Sequence, residues 1–331
     1  MAATQHPGDQ HEIPGYEAHV SAASLKDRIK QHYEIASDYY YSLWGQHIHH
    51  GLFRDPRESK EEAQVNLIRY LLEISRLPRA SRVLDVGCGL GGTSRFLARE
   101  HGCAVTGITI SGRQVDIAKR LTLEDKAGLV PAAPTPLSGQ EGEDKGEGEA
   151  DASKSSSSPS LDHWLSYSTD GDGDGDTKKD ASNGDAGVGA GAGSVRFLEL
   201  DAEKMMERFG SSSPTAGSDK KKGDGYRDGS SRFDCVWISE ALSHLPNKPL
   251  FFSSSFAVLA AGSSSRLVVA DWFKAPDLTP EQVAEDIKPI EDGMLLPRLY
   301  TADEYVRMAE EAGFATLQAP IDISAEVAKT W

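Results

Sequence analysis

The sequence has only three cysteines, Cys88, Cys103 and Cys235, with no two close together. That count and spacing give neither a disulfide framework nor a zinc-type cysteine pair. No apolar run approaches the ~18–20 residues of a membrane span. The stretch Met1–Gly15 is polar with two prolines and lacks the apolar centre of a secretory signal. Basic charge is scarce as well: 35 Lys and Arg stand against 51 Asp and Glu, a formal charge of −16. Nucleic-acid binding, which needs a basic face to displace counterions, is excluded on that balance. Apolar residues make up 38% of the chain, below the ~45–50% usual for a globular domain. These absences imply a soluble protein with a cytoplasmic location.

The apolar deficit is concentrated. Between Gly128 and Ser194 lie 13 glycines and 13 acidic residues against 4 lysines. Such a segment buries too little apolar area to offset its chain entropy, so 128–194 is expected to be a solvated, low-complexity acidic insert. A second polar insert spans 210–231, and residues 1–20 read as a disordered tail. About 240 residues remain, enough for one α/β domain. Within the long insert, Asp170-Gly-Asp172-Gly-Asp174-Gly175 begins like a calcium loop. Its twelfth position is Ala181 where a bidentate Glu is required, so no metal is expected there.

Apolar and aromatic residues recur at helical spacing from Ser24 to Tyr41 and from Ser59 to Ser75, with Pro78 stopping the second run. The pattern then changes period. Arg82–Val86 is a short apolar run ended by Gly87, as a buried parallel strand requires. Helix 93–100, strand 104–108 and helix 114–123 follow. After the long insert come strand 195–200, helix 202–209, strand 233–238, helix 250–260 and strand 266–270. This alternation predicts a doubly wound, mostly parallel α/β sheet of Rossmann type. Helices at 280–286 and 301–313 and a strand at 315–319 complete the expectation. The domain reading is a helical cap over 21–78 and a ligand-binding domain over 79–331.

The strongest chemical signal is Asp85-Val86-Gly87-Cys88-Gly89-Leu90-Gly91-Gly92, between a strand and a helix. Glycines there let the backbone turn tightly and approach a ligand closely. Gly87, Gly89 and Gly92 also satisfy G-x-G-x-x-G, so a nicotinamide oxidoreductase is an open reading. Two features count against it. Asp85 lies two positions before the first glycine, and the second strand ends in Gly107-Ile108-Thr109-Ile110-Ser111, without an acid for a dinucleotide ribose.

Three further runs carry a family resemblance. His32-Tyr33-Glu34-Ile35-Ala36-Ser37-Asp38-Tyr39-Tyr40 resembles the cofactor-covering helix of cyclopropane fatty-acid synthases. Trp44-Gly45-Gln46-His47-Ile48-His49-His50-Gly51 and the run from Asp271-Trp272-Phe273-Lys274 to Pro297 resemble tocopherol C-methyltransferases. Both groups, with sterol side-chain methyltransferases, are Class I enzymes dependent on S-adenosylmethionine (SAM). The resemblance implies that Gly87, Gly89 and Gly91 line SAM, with Asp85 under its methionine end and Tyr33 closing over it. Thr109, Ile110 and Gln114 match the run that replaces the ribose carboxylate, and Asp201 with Ala202 matches the adenine loop. Glu240 and His244, in Ser239-Glu240-Ala241-Leu242-Ser243-His244, match the family's catalytic or substrate-contacting Glu and His. Ser243 departs from that pattern, where the family has a second Glu. The chain also stops before the family's last strand, which would leave a sheet edge uncovered.

A small, lipophilic acceptor such as a prenylated phenol or sterol is the substrate class these aromatics and Met294, Leu295 and Leu296 suggest, with C-methylation favoured. Transfer to a small amine, and SAM binding without turnover, stay open beside it. The histidines 47, 49 and 50 raise a metal reading. No carboxylate or cysteine nearby in sequence completes a ligand set, so no metal is assigned.

Overall fold

The computed structural model describes residues 22–126, 164–167, 193–210 and 232–330. The expected tail at 1–20, most of the two inserts and the Asp170–Gly175 run lie outside the described residues.

Helix α1 (Ala22–Trp44) and helix α2 (Lys60–Ser75) precede the sheet. Ser59 caps α2 through a box in which its hydroxyl accepts from Glu62 N–H while the Glu62 carboxylate accepts from Ser59 N–H, satisfying two otherwise orphaned donors. The strands are β1 (Arg82–Val86), β2 (Ala104–Thr109), β3 (Leu165–Ser166), β4 (Ser194–Glu199), β5 (Cys235–Ser239) and β6 (Arg266–Ala270). Their order in the sheet is β3-β4-β2-β1-β5-β6, parallel throughout except for the β3–β4 pair. The crossover helices are α3 (Gly92–His101), α4 (Gly112–Lys126), the short α5 (Met205–Phe209) and α6 (Lys248–Val258). Helix α7 (Pro280–Gln282) runs through a π turn at Val283–Ile287 into α8 (Lys288–Gly293), and α9 (Ala302–Glu311) follows.

Successive strand residues point to opposite faces, and both faces are covered. Val83, Val105, Phe197 and Trp237 pack towards α2 and α3, against Leu67, Ile68, Phe96 and Leu97. Leu84, Ile108, Leu198 and Val236 pack on the other side with Phe251, Phe252 and Val258 of α6 and Tyr305 of α9. Both inserts join the fold where a returning helix meets the amino end of a strand. One lies between α4 and β4, and the other between α5 and β5. The carboxyl ends of β1, β2, β4 and β5, where doubly wound sheets place ligands, carry only short connections.

Three expectations are corrected. Residues 315–319 form no strand: Ala315–Pro320 are all exposed and Gly313, at φ 108°, ends the α9 segment. An alternating pattern with neither a strand partner nor a buried face has nothing to hold it extended. The long insert is not wholly solvated. Leu165 and Ser166 pair antiparallel with Val195 and Ser194, Arg196 lies 4.8 Å over the Trp164 ring, and Tyr167 donates to Asp125 at 3.1 Å. The helical region after Pro280 continues to Gly293, past the expected end at 286.

A last helical turn, α10 (Ser324–Val327), folds back over residues 51–58. Phe53 N–H donates to Glu326 O at 3.0 Å, Gly51 N–H to Thr330 Oγ1 at 3.0 Å, and the Lys329 ammonium lies 4.6 Å over the Phe53 ring.

Candidate active site

The turn after β1 is built by glycine conformation. Gly87, Gly89 and Gly91 have φ of 70°, 53° and 75°, a region that costs other residues roughly 1 kcal/mol or more. Gly87 and Cys88 N–H both reach back to Ile108 O, at 2.9 and 3.0 Å, tying the loop to β2. A Cβ at Gly87 would lie 2.3 Å from Ala241 Cβ, and one at Gly91 would lie 2.6 Å from the Phe197 ring. At Gly89 it would meet only Ile48 Cδ1, at 3.6 Å. Space therefore opens above Gly89, and a cleft there is lined by Asp85, the glycine loop, Ser239 and residues 46–49.

Residues 46–52 are held over this cleft by α2. The buried Gln64 side chain donates to His47 O at 2.8 Å and His49 O at 3.1 Å, and Leu52 N–H donates to Ala63 O. Arg95, buried on α3, bridges the two sides by donating to Leu90 O at 2.7 Å and to Gln46 Oε1 at 3.2 Å. His49 Nδ1 lies 2.9 Å from His50 O. A carbonyl only accepts, so Nδ1 carries the proton and Nε2 presents its lone pair. That Nε2 is buried without a partner, as is His47 Nδ1. Burial keeps both rings below the usual histidine range, hence neutral.

Asp85 is 3% exposed and accepts from Ser94 Oγ at 2.5 Å. Burial pushes its carboxyl up to about 6, the Ser94 bond offsetting only part of the shift. A carboxyl pKa raised on folding means that stability falls as pH rises from about 4 through about 6. In the unliganded protein, Asp85→Asn is therefore expected to raise stability by about 1–3 kcal/mol at pH 7.5 and to change it little at pH 4. Thermal melts at the two pH values check this; an equal effect at both would remove the assignment to buried charge.

The other expected cofactor residues end neighbouring strands. Thr109 Oγ1 donates to Gln114 Oε1 at 2.5 Å, both buried, and Ile110 is half-exposed beside them. Asp201 caps the 3₁₀ turn that begins at Ala202, and it is ion-paired with Lys26 of α1 at 2.9 Å. Lys26 also pairs with Glu203, Lys30 pairs with Glu199, and Asp38 pairs with Arg113. These bridges fasten α1 across the ends of β2 and β4, and the sequence reading missed them.

Beyond β5, Glu240 adopts φ 52°, uncommon for a side chain of this type and costing roughly 1–3 kcal/mol. The turn aims its carboxylate at His50: Oε1 accepts from His50 N–H at 2.9 Å and Oε2 lies 2.7 Å from His50 Nδ1. His50 stands between Trp44 and Trp272, with edge-on ring centroids at 6.0 and 5.7 Å. His244, on the next 3₁₀ turn, places Nε2 3.4 Å from the Tyr33 hydroxyl, and its Nδ1 is buried without a partner. Burial lowers its imidazole to about 4 and raises the Tyr33 phenol, so both are neutral at pH 7. Met294 is 41% exposed, whereas Leu296 is buried. Tyr33, Glu240 and His244 lie around the turn that follows β5, whose last residue, Ser239, lines the glycine-loop cleft. Thr109, Gln114, Asp201 and Ala202 lie along the adjoining strand ends.

Residues 21–129 match the family described as mycolic acid cyclopropane synthetase. The 2-methyl-6-phytyl-1,4-hydroquinone methyltransferase of Synechocystis is 39% identical over 34% of this chain and 35% of its own. The chain is related to the class I SAM-dependent methyltransferases. A rice protein named probable tocopherol O-methyltransferase, chloroplastic, is 26% identical over 93% of this chain and 64% of its own. The chain therefore spans less than two thirds of the length of both relatives. Among solved structures, mycolic acid cyclopropane synthase CmaA1, in complex with SAH and CTAB, superposes with a TM-score of 0.55 at 16% identity. That match covers 92% of this chain and 80% of the other, and it shows the shared class I methyltransferase fold.

The residues present fit a SAM-type ligand. A Cβ at Gly89 would meet only Ile48 Cδ1, and the cleft is lined by both His49, whose Nε2 is an unpaired buried acceptor, and the buried Asp85 carboxyl. An aminoacyl ammonium donates to acceptors of this kind.

Proposed function

We propose that the protein transfers a methyl group from SAM to a small lipophilic acceptor, favouring an aromatic carbon of a prenylated phenol. The observation that carries this reading is the neutral Tyr33–His244 pair, 3.4 Å apart, with His244 on the turn that follows β5, whose last residue, Ser239, lines the glycine-loop cleft. When bound, SAM supplies an electrophilic methyl on a sulfonium, which becomes neutral as the methyl leaves. The protein therefore has no new anion to stabilise and acts by alignment and exclusion of water, holding reacting atoms at ~3–3.5 Å.

Gly87, Gly89 and Gly91 would line the donor with Asp85 at its methionine end, Thr109, Ile110 and Gln114 would hold its ribose, and Asp201 with Ala202 its adenine. His244, with its pKa near 4, is unprotonated at neutral pH and so accepts a proton released from a methylated ring carbon. A weak base suffices there because a ring carbon carrying both a methyl and a proton is strongly acidic. Tyr33 holds the imidazole edge and shields it from water. Glu240 fixes His50 between Trp44 and Trp272, and these rings supply an apolar wall with π faces for a phenol or a developing cation.

A small amine is the second reading. Glu240 and Asp271 bring two carboxylates to the ends of β5 and β6 beside these aromatic rings, a set that also suits an ammonium.

Calorimetric titration with S-adenosylhomocysteine (SAH), with NADH as control, tests the donor site; micromolar SAH binding and none for NADH is expected. Labelled-methyl transfer to 2-methyl-6-phytyl-1,4-hydroquinone, a sterol and sarcosine then separates the acceptor classes. Turnover of sarcosine alone would replace the lipophilic reading with the amine one. SAH binding without transfer to any of the three would leave a binding protein.

A further inference from the structure

Lys248 is 1% exposed. Its ammonium donates to Ser243 O at 3.2 Å and Leu245 O at 3.1 Å, the carbonyls on either side of His244, and lies 5.7 Å over the Tyr300 ring. Among the described residues no carboxylate stands within ion-pair distance of it. An ammonium in this setting is costly, and burial accordingly lowers it to about 8, with Asp271 and Glu291 opposing the shift. A methionine of similar length would fill the site without that cost, so packing alone does not account for a lysine.

The other side of the same turn is held by Asp271, at the end of β6. One carboxylate oxygen accepts from Leu242 N–H at 2.6 Å and the other from Trp272 N–H at 2.8 Å. Within the turn, His244 N–H donates to Ala241 O and Leu245 N–H to Leu242 O, at 3.2 and 3.1 Å, and Ser243 also donates to Asp271. Four residues are thus gripped at an N–H by an acid on one element and at two carbonyls by a cation on another. His244 projects from between them towards Tyr33.

We propose that Lys248 and Asp271 are positioning residues, a clamp of opposite charges that fixes the His244 turn against Tyr33. The inference rests on the reading of His244 as the proton acceptor. Neither residue touches a reacting atom; each acts through the backbone that presents the imidazole.

The test is Lys248→Met, with Lys248→Ala as the second variant. In the SAH-loaded protein, the ¹⁵N ring signals of His244 are expected to shift and broaden in Lys248→Met while SAH affinity stays within about twofold. With 2-methyl-6-phytyl-1,4-hydroquinone as acceptor, kcat is expected to fall at least about tenfold, with KM within about threefold. Added propylammonium is expected to restore part of the lost kcat in Lys248→Ala, which a packing role would not allow. Unchanged His244 signals, or a loss of SAH affinity equal to the loss of kcat, overturns the clamp. Because the ring signals need no acceptor, a wild-type protein inactive on every acceptor would defeat the functional reading and still leave the clamp open to measurement.

Discussion

Gly89→Arg is expected to weaken SAH binding at least about 100-fold, ~2.7 kcal/mol, while the far-ultraviolet spectrum stays that of the folded protein. The position separates the ligand site from the scaffold. A Cβ there meets only Ile48 Cδ1 at 3.6 Å, so the added side chain occupies the cleft and leaves the core alone. Its positive φ of 53° adds roughly 1 kcal/mol of strain, which a domain of this size withstands. Gly91→Arg would be a poor substitute, because its Cβ already strikes the buried Phe197 ring at 2.6 Å and would damage the fold directly. Calorimetry on the folded variant is decisive. SAH affinity within threefold of wild type would mean that the donor binds elsewhere.

His244→Gln is expected to lower kcat by about 10²–10⁴, with SAH affinity unchanged within threefold. Glutamine keeps a polar group near Tyr33 but has no useful basicity. The pH dependence gives an independent check. A histidine pKa lowered to about 4 means the base form is present above about pH 5 and disappears as pH falls through 4. From this group, kcat is therefore expected to be flat between pH 6 and 8 and to drop on the acid side. An acid limb near 6.5 would be that of an ordinary solvated imidazole and would contradict the burial argument. Tyr33→Phe, which removes the 3.4 Å contact, is expected to give a smaller loss of the same kind. If His244→Gln turns over at the wild-type rate, proton removal has another owner.

The sheet was legible because its signals are local. Apolar runs of five or six residues, each followed by glycine or a helix period, mark β1, β2, β5 and β6 without any long-range information. The glycine loop was legible for the same reason, its special conformation demanding a special residue type. The Ala315–Ala319 expectation failed because an alternating pattern states what a strand would look like but not whether an edge and a buried face await it. Leu165–Ser166 escaped notice inside a polar stretch, since its pairing with Ser194 and Val195 is decided by the neighbouring strand. At the candidate site, Glu240 and His244 were expected from their motif. Their partners were not: the 190-residue separation of His50 from Glu240 and the 175-residue separation of Lys26 from Asp201 leave no trace in linear spacing. Lys248 raised no expectation, since it lies just before the helix expected at 250; only the fold buries it.

The attachment points of the two inserts and the glycine-loop cleft lie at opposite ends of the same strands. Growth or loss of sequence at Lys126–Ser194 and Phe209–Cys235 is thereby uncoupled from the geometry of Asp85, Thr109, Asp201 and Glu240. Length and charge between these attachment points can change without moving the residues at the carboxyl ends of the strands.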